Sequence, residues 1–264
     1  MISTTTSVAG YREWRPAAAL ARHVACTWVG WMGPAGETYV QRVLPDGCLD
    51  LVWDGERLVV AGPDTGPVDV APRPDGFLVG IRFRPGLAPT VLGLPASELR
   101  DLRVDAADAL GADRAGRLSD RLASTIGPVA PTPNPSRLRA MAGVLEESMS
   151  GWISRSADPD PVIEAAVAAL RRPPPGTGRS VAALADDLNL SERQLHRRCC
   201  AAVGYGPKTL DRVLRFRRFL ALADARHDVG LARLAVEAGY TDQPHLNREC
   251  RRLAGTTPAL LLDV

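Results

Sequence analysis

One stretch of this sequence occurs twice. Residues 181–207 read VAALADDLNLSERQLHRRCCAAVGYGP, and residues 231–258 read LARLAVEAGYTDQPHLNRECRRLAGTTP. Leu184-Ala185 recurs as Leu234-Ala235 at an offset of 50, and Leu195, Cys199, Gly204 and Pro207 recur as Leu246, Cys250, Gly255 and Pro258 at an offset of 51. An internal repeat with one inserted residue constrains the fold more than composition does: the C-terminal third must contain the same local structure twice.

Each copy reads as a helix, a turn and a second helix. The Leu-Ala pair gives the first helix an apolar face with a small residue for close contact. Asn189 in copy one and Gly239 in copy two tolerate the positive φ of a tight turn. Ser191 and Thr241 are the expected N-caps of the second helices, and Gly204 and Gly255 their C-terminal stops. Leu195 and Leu246 point inward. Outward, copy one presents Arg193, Gln194, His196, Arg197 and Arg198, and copy two presents Gln243, His245, Asn247, Arg248, Arg251 and Arg252. Arginine matches guanine, and Gln or Asn matches adenine, in the DNA major groove. The pattern is that of helix-turn-helix with the second helix in the recognition role. A pair of αα-hairpins with polar outer faces has the same pattern.

The charge follows the repeat. The 264 residues carry a net charge of only +2, yet residues 193–218 hold eight basic side chains against one acid, Asp211. Such a local excess suits a polyanion, or a solvated helix face. Residues 208–227 between the copies read as a linking helix with Arg212, Arg215, Arg217 and Arg218 on it. Its rigidity would set the spacing of two recognition helices, whose grooves on one DNA face lie about 34 Å apart.

Before residue 128 the pattern changes. Short Val-, Ile- and aromatic-rich runs at 25–31, 39–44, 48–53, 57–61 and 77–83 alternate with turn signals: Gly33-Pro34, Pro45-Asp46-Gly47, Asp54-Gly55 and Gly62-Pro63. This predicts an antiparallel β-rich domain, with Asp54-Gly55 in a tight primed hairpin turn. Helices are expected at 88–94, 97–102, 114–126, 136–150 and 160–172, the last with Pro161 in its first turn. Proline-rich breaks lie at 127–136 and 173–178. The expected class is therefore α+β: a β-rich domain over 1–127, a linker over 128–136, a connecting helix over 137–157, and an all-α domain over 158–264. Within the last, the first helix-turn-helix spans 181–204, the linking helix 208–227, and the second helix-turn-helix 231–255.

The C-terminal residues resemble the AraC-type transcription regulators over about 160–262. The resemblance rests on Leu184-Ala185, Ser191, Arg193-Gln194-Leu195, Gly204, Pro207 and Arg215 to Arg218. In copy two it rests on Leu234-Ala235, Ala238-Gly239-Tyr240, Asp242-Gln243, His245-Leu246, Arg248, Gly255 and Thr257-Pro258. It implies a seven-helix DNA-binding domain whose two recognition helices enter successive major grooves. The base contacts it implies are Arg193, His196 and Arg197 in copy one, joined by Gln194, and Gln243, Asn247 and Arg248 in copy two. Ser191, Arg198, Lys208, Arg215, Arg218 and Thr241 are the expected phosphate contacts. Cys199 and Cys250 stand where the family usually has Phe. Pro244 is tolerated only in the first turn of its helix, and copy one is the expected main reader. The N-terminal half resembles a sensor-type domain of such regulators, through Leu44-Pro45-Asp46-Gly47, Asp50-Leu51-Val52 and Gly80-Ile81-Arg82-Phe83-Arg84-Pro85-Gly86.

Asp46, Asp50, Arg82 and Arg84 are the candidate ligand-pocket residues. Arg82 and Arg84 share a strand face by the period of two and would clamp an anion, or pair with the two aspartates as salt bridges. No metal, cofactor or catalytic site is expected. His23 is the only histidine before residue 196, and Cys26 and Cys48 lack the basic neighbours of a reactive thiolate. No signal peptide or membrane span is read, so the expected setting is the cytoplasm. The expected partners are double-stranded DNA, a small-molecule effector and, for an activator, RNA polymerase, acting on a monomer or homodimer.

Overall fold

In the run Leu49-Asp50-Leu51-Val52-Trp53, Leu49, Leu51 and Trp53 are buried, while Asp50 and Val52 point the other way and stay half-buried. That alternation organises the N-terminal region. The computed structural model describes residues 9–32, 40–70, 76–126, 135–172 and 180–262. Its strands are β1 (Ala9–Trp14), β2 (Val24–Met32), β3 (Gln41–Val43), β4 (Leu49–Trp53), β5 (Leu58–Ala61), β6 (Val68–Val70), β7 (Phe77–Phe83) and β8 (Arg103–Asp105). Six form one antiparallel sheet in the order β1-β2-β7-β4-β5-β8, and β3 pairs with β6 as a separate two-stranded ribbon.

One face of the sheet carries the first core. Leu49, Leu51, Val60, Val79, Ile81 and Phe83 pack against helices that follow in sequence: α1 (Ala88–Leu92), α2 (Ala106–Leu110), α3 (Ala112–Ile126) and α4 (Pro135–Ile153). Helix α4, expected as a connector, is part of this core: Met141, Leu145 and Met149 are fully buried in it. The Thr27 hydroxyl on β2 donates to Glu146 of α4 at 2.8 Å, which pins the helix across the sheet.

The other face is partly polar and half-buried. Trp28 lies across β7, over the position of Gly80, where a Cβ would come within 2.3 Å of the indole. Its Nε1 donates to Asp50 at 3.1 Å.

Seven helices make the second core among the described residues: α5 (Pro161–Arg171), α6 (Val181–Asp187), α7 (Glu192–Val203), α8 (Pro207–Ala225), α9 (Leu231–Ala238), α10 (Gln243–Ala254) and α11 (Pro258–Leu262). Its centre is Leu195, Phe216, Phe219, Leu246 and both cysteines of the repeat. No helix of the described residues is long and apolar enough to cross a membrane.

The α+β class is as expected, but several elements differ. Strands β1, β6 and β8 and helix α2 were not foreseen: the six residues of β1 mix charge with aromatics, and three-residue strands and a five-residue helix carry almost no periodicity. The helix expected at 97–102 is only the 3-10 turn Ala96–Glu98. The Asp54-Gly55 hairpin forms, but through a four-residue loop: Trp53 pairs with Leu58, and the Asp54 carboxylate accepts from the Glu56 and Arg57 amides. Residues 33–34, most of the expected linker at 128–136 and the break at 173–178 lie outside the described residues.

Gly80→Ala is expected to lower stability by about 1–3 kcal/mol, the usual cost of overpacking a well-filled site. Urea denaturation followed by tryptophan fluorescence checks it, and an unchanged midpoint would contradict the seating of Trp28 on Gly80.

Candidate nucleic-acid interface

The two repeats build the same local geometry by the same devices. In the first, Leu184 and Ala185 of α6 are buried, the chain turns at Asn189 with φ +54°, and Ser191 caps α7. The cap is a reciprocal box: Ser191 Oγ accepts from the Gln194 amide at 3.2 Å, and Gln194 Oε1 accepts from the Ser191 amide at 2.9 Å. In the second, Leu234 and Ala235 of α9 are buried, and the turn is at Gly239 with φ +95°. Here the cap is Asp242, whose carboxylate accepts from the His245 amide at 2.7 Å, and not the expected Thr241. The inserted residue of copy two moves the cap one place along. Pro244 sits in the first turn, where its missing N–H leaves no helical bond unmade. Gly204 and Gly255 end α7 and α10 in the left-handed conformation, as expected.

Outward of this frame, Arg193, Gln194 and Arg197 on α7 and Arg248 on α10 are exposed, and Gln243 and Asn247 are half-buried. Gln194 has its carbonyl oxygen taken by the cap. His196 is also engaged: its Nε2 lies 3.5 Å from Cys200 Sγ, and its ring covers Gly206, where a Cβ would come within 2.5 Å of it. His196, Lys208 and His245 border a cleft of about 730 Å³ between the two repeats.

Three arginines expected to contact phosphate have acceptors within the protein. Arg198 grips Asp160, the N-cap of α5, with Nε at 2.9 Å and a second nitrogen at 3.2 Å. Arg215 pairs with Asp211 and lies over the Tyr240 ring at 5.6 Å. Arg218 donates to Ala238 O at 2.9 Å, Leu170 O at 3.0 Å and Arg171 O at 3.1 Å, closing the C-termini of α9 and α5. Arg212 makes a bidentate pair with Glu249 at 2.6 and 2.8 Å, which ties α8 to α10. Burial disfavours the charged Glu249, but the facing Arg212 outweighs it and holds the carboxyl below its usual range. Apart from the i,i+4 pair Asp211–Arg215, sequence spacing did not show this, because the acceptors are backbone carbonyls and acids on other elements.

On the half-buried face of the sheet a second cleft, about 680 Å³, runs beneath the β3–β6 ribbon. Of the four expected pocket residues it brings three together. Arg82 Nε lies 3.1 Å from Asp50 and 3.5 Å from Asp46. Burial opposes the Arg82 charge, but Asp50 and Asp46 together outweigh it and keep the guanidinium protonated. The salt-bridge reading of this cluster is the one the geometry takes. Arg84 is elsewhere, donating to Ala21 O at 2.9 Å just past the end of β7. Sequence reading missed Glu13, Trp28 and Arg103 in the cleft, and Arg217, which reaches it from α8. Burial pushes the Cys26 thiol up to about 12 and Cys48 well above its usual value, so neither is a thiolate near neutrality.

This arrangement defines a helix-turn-helix protein. Residues 184–263 match the family described as "Helix-turn-helix domain", and residues 12–105 match a "Domain of unknown function (DUF6597)". The chain thus carries a match to each of these two domain families, the second type preceding the helix-turn-helix domain in the sequence. Over 96 residues it is 38% identical to the HTH-type transcriptional regulator VirS of Mycobacterium tuberculosis, in strains H37Rv and CDC 1551, covering 36% of this chain and 27% of each relative's length. Among solved structures it is similar to ToxT of Vibrio cholerae O395, at 9% identity and a TM-score of 0.43 over 97% of both chains. It is also similar to the AraC-like transcriptional activator CuxR, at 13% identity and 0.21 over 82% of this chain and 81% of that one.

Arg218→Ala is expected to lower stability by about 2 kcal/mol, because three carbonyls lose a charged donor. Arg197→Ala is expected to stay within about 0.5 kcal/mol of the parent, as for an exposed side chain without partners among the described residues. Chemical denaturation of both variants checks this, and equal effects would overturn the division between interior and outward arginines.

Proposed function

We propose that the protein is a sequence-specific DNA-binding transcription regulator that reads two successive major grooves, with an N-terminal domain that senses a small molecule. One observation carries the reading: two helix-turn-helix units of the same build flank a single helix, α8, and both second helices leave polar N-terminal halves outward. Base contacts fall to Arg193 and Arg197 of α7 and to Gln243, Asn247 and Arg248 of α10. His196, at the edge of the cleft between the units, and the amide nitrogen of Gln194, on the same outward turn, add further DNA contacts. Ser191, Thr241 and Lys208 supply backbone contacts at the helix starts, where amide groups favour phosphate. The matched relative is named as a transcriptional regulator, which favours regulation over catalysis.

The cleft under the ribbon supports the sensing role. It has the volume of a small-molecule site, apolar walls from Val52, Val59 and Leu78, and a few fixed polar groups in Asp50, Arg82 and Arg103. Asp46 and Asp50 hold Arg82 in place; a ligand with hydrogen-bond donors and acceptors suits that edge better than a bare anion, because Arg82 is already neutralised.

Two measurements test the DNA reading. Arg193, Arg197, Lys208, Arg248, Arg251 and Arg252 are exposed and in no ion pair among the described residues. If Lys208, Arg251 and Arg252, the three not assigned to bases, each neutralise one phosphate, log K against log salt has a slope of about −3, at 0.9 per phosphate. A salt titration of binding to DNA fragments selected from the source genome checks it; salt-insensitive binding, or none to any DNA, would sink the proposal. At a selected site, Arg197→Ala is expected to cost about 1–3 kcal/mol and to relax the preference at one base pair. Uniform weakening on all sequences would make Arg197 a phosphate contact instead.

A further inference from the structure

The loop joining β5 to β6 runs close to the C-terminal ends of both second helices at equivalent places. Its sequence is Gly62-Pro63-Asp64-Thr65-Gly66-Pro67. A Cβ built on Gly204, which ends α7, would lie 2.5 Å from Pro63 Cγ and 3.1 Å from Ala96 O. A Cβ built on Gly255, which ends α10, would lie 3.5 Å from Pro67 Cγ. Arg42 of the ribbon adds a long contact from its guanidinium to Ala254 O, at 3.5 Å. The glycines are thus doubly required: for their positive φ, and at Gly204 for the close approach of the proline.

The loop is held stiffly. Gly62 N donates to Leu102 O at 2.9 Å, and Asp101 N donates to Pro63 O at 3.2 Å. The Asp101 carboxylate accepts from the Thr65 amide at 2.6 Å and from its hydroxyl at 3.0 Å. Asp64 makes a bidentate pair with Arg103 at 2.7 and 2.8 Å. Asp101 itself sits at φ +59°, a conformation that a non-glycine residue adopts at a cost.

We propose that the 62–67 loop is a strap that positions the two recognition helices, so that the N-terminal domain, together with α8, sets the spacing of the two DNA half-sites the protein accepts. This rests on the reading that both units contact DNA. The geometry supplies a lever. Pro63 and Pro67 are four residues apart, so the strap holds the two helix ends within about 15 Å of each other along the chain. Each 12-residue recognition helix is about 18 Å long, and its base-reading end is the one away from the strap. A swing of about 10° about the held end therefore moves the reading end by about 3 Å, close to the rise of one base pair. Pro63, Pro67 and the Asp101 tether are positioning residues: they act through Gly204 and Gly255 and not on DNA.

The test uses the full chain and an operator that it selects from random duplex DNA. From that operator a series is made with the half-sites moved one base pair apart or together, and binding is measured for the parent, for Pro63→Gly/Pro67→Gly and for Asp101→Gly. Glycine at 101 keeps the positive φ and removes only the carboxylate tether. The parent is expected to lose at least about ten-fold in affinity per base pair of displacement. Both variants are expected to lose less than about three-fold, while binding the selected spacing nearly as well and melting within a few degrees of the parent. If the variants keep the parent's spacing dependence, α8 alone sets the spacing and the strap proposal is overturned. If the parent selects no operator at all, the DNA reading fails first and takes the strap with it.

Discussion

The guanidinium of Arg218 is the point on which the C-terminal region turns. The last carbonyls of a helix have no partner within that helix and gather at the negative end of its dipole. Arg218 meets this need for two helices at once, α5 and α9, from a position on α8. Helix α9 opens the second helix-turn-helix, and α5 is the helix whose N-cap Asp160 is held by Arg198 of the first recognition helix. Arg198 and Arg218, holding opposite ends of α5, thus connect both units to a common frame. Burial works against the Arg218 charge and draws its pKa down. The group stays protonated all the same, because arginine has so large a margin. A lysine at this place would lack the planar fork that reaches carbonyls on two helices.

The same logic redistributes the basic run between Arg193 and Arg218. Arg198, Arg212, Arg215 and Arg218 each have carboxylate or carbonyl acceptors inside the protein. Arg217 faces the cleft of the N-terminal domain. Half of a stripe that looks like a polyanion footprint in sequence is therefore internal bracing. The cations left outward are the ones at the free turns of α7 and α10 and at the start of α8.

What the sequence made legible was local and repeated. The two Leu-Ala pairs, the turns at Asn189 and Gly239, the Ser191 cap and the Gly204 and Gly255 stops follow from residue type at fixed offsets, and each is found. Where the offset itself changed, by the one residue inserted in copy two, the cap moved from Thr241 to Asp242. Strands β2, β4, β5 and β7 were legible because they alternate or run apolar. Strands β1, β6 and β8 were not: Ala9–Trp14 mixes charge and aromatics, and the other two are three residues long. The pocket residues Asp46, Asp50 and Arg82 were legible as a group, but Arg84 failed because the period of two holds only inside the strand, and β7 ends at Phe83. Arg217 and the Pro63 and Pro67 contacts depend on how the two cores meet, which no window of sequence contains.

How an occupant of the cleft would reach the recognition helices is constrained by which walls can respond. A ligand shifts a conformational equilibrium only through contacts that differ between the states. Asp50, Trp28 and Arg82 are locked to one another across three adjacent strands of the sheet, so they offer the same contacts in any arrangement of the domains. The remaining walls are different in kind. Arg217 belongs to α8, and Gly62 and Asp64 belong to the 62–67 loop. These are the groups attached to the elements that place the reading heads. In the proposed sensing role the sheet side of the cleft would supply recognition, and Arg217, the 62–67 loop and Arg42, whose guanidinium reaches Ala254 O, would supply contacts that convert it into a movement of the helices.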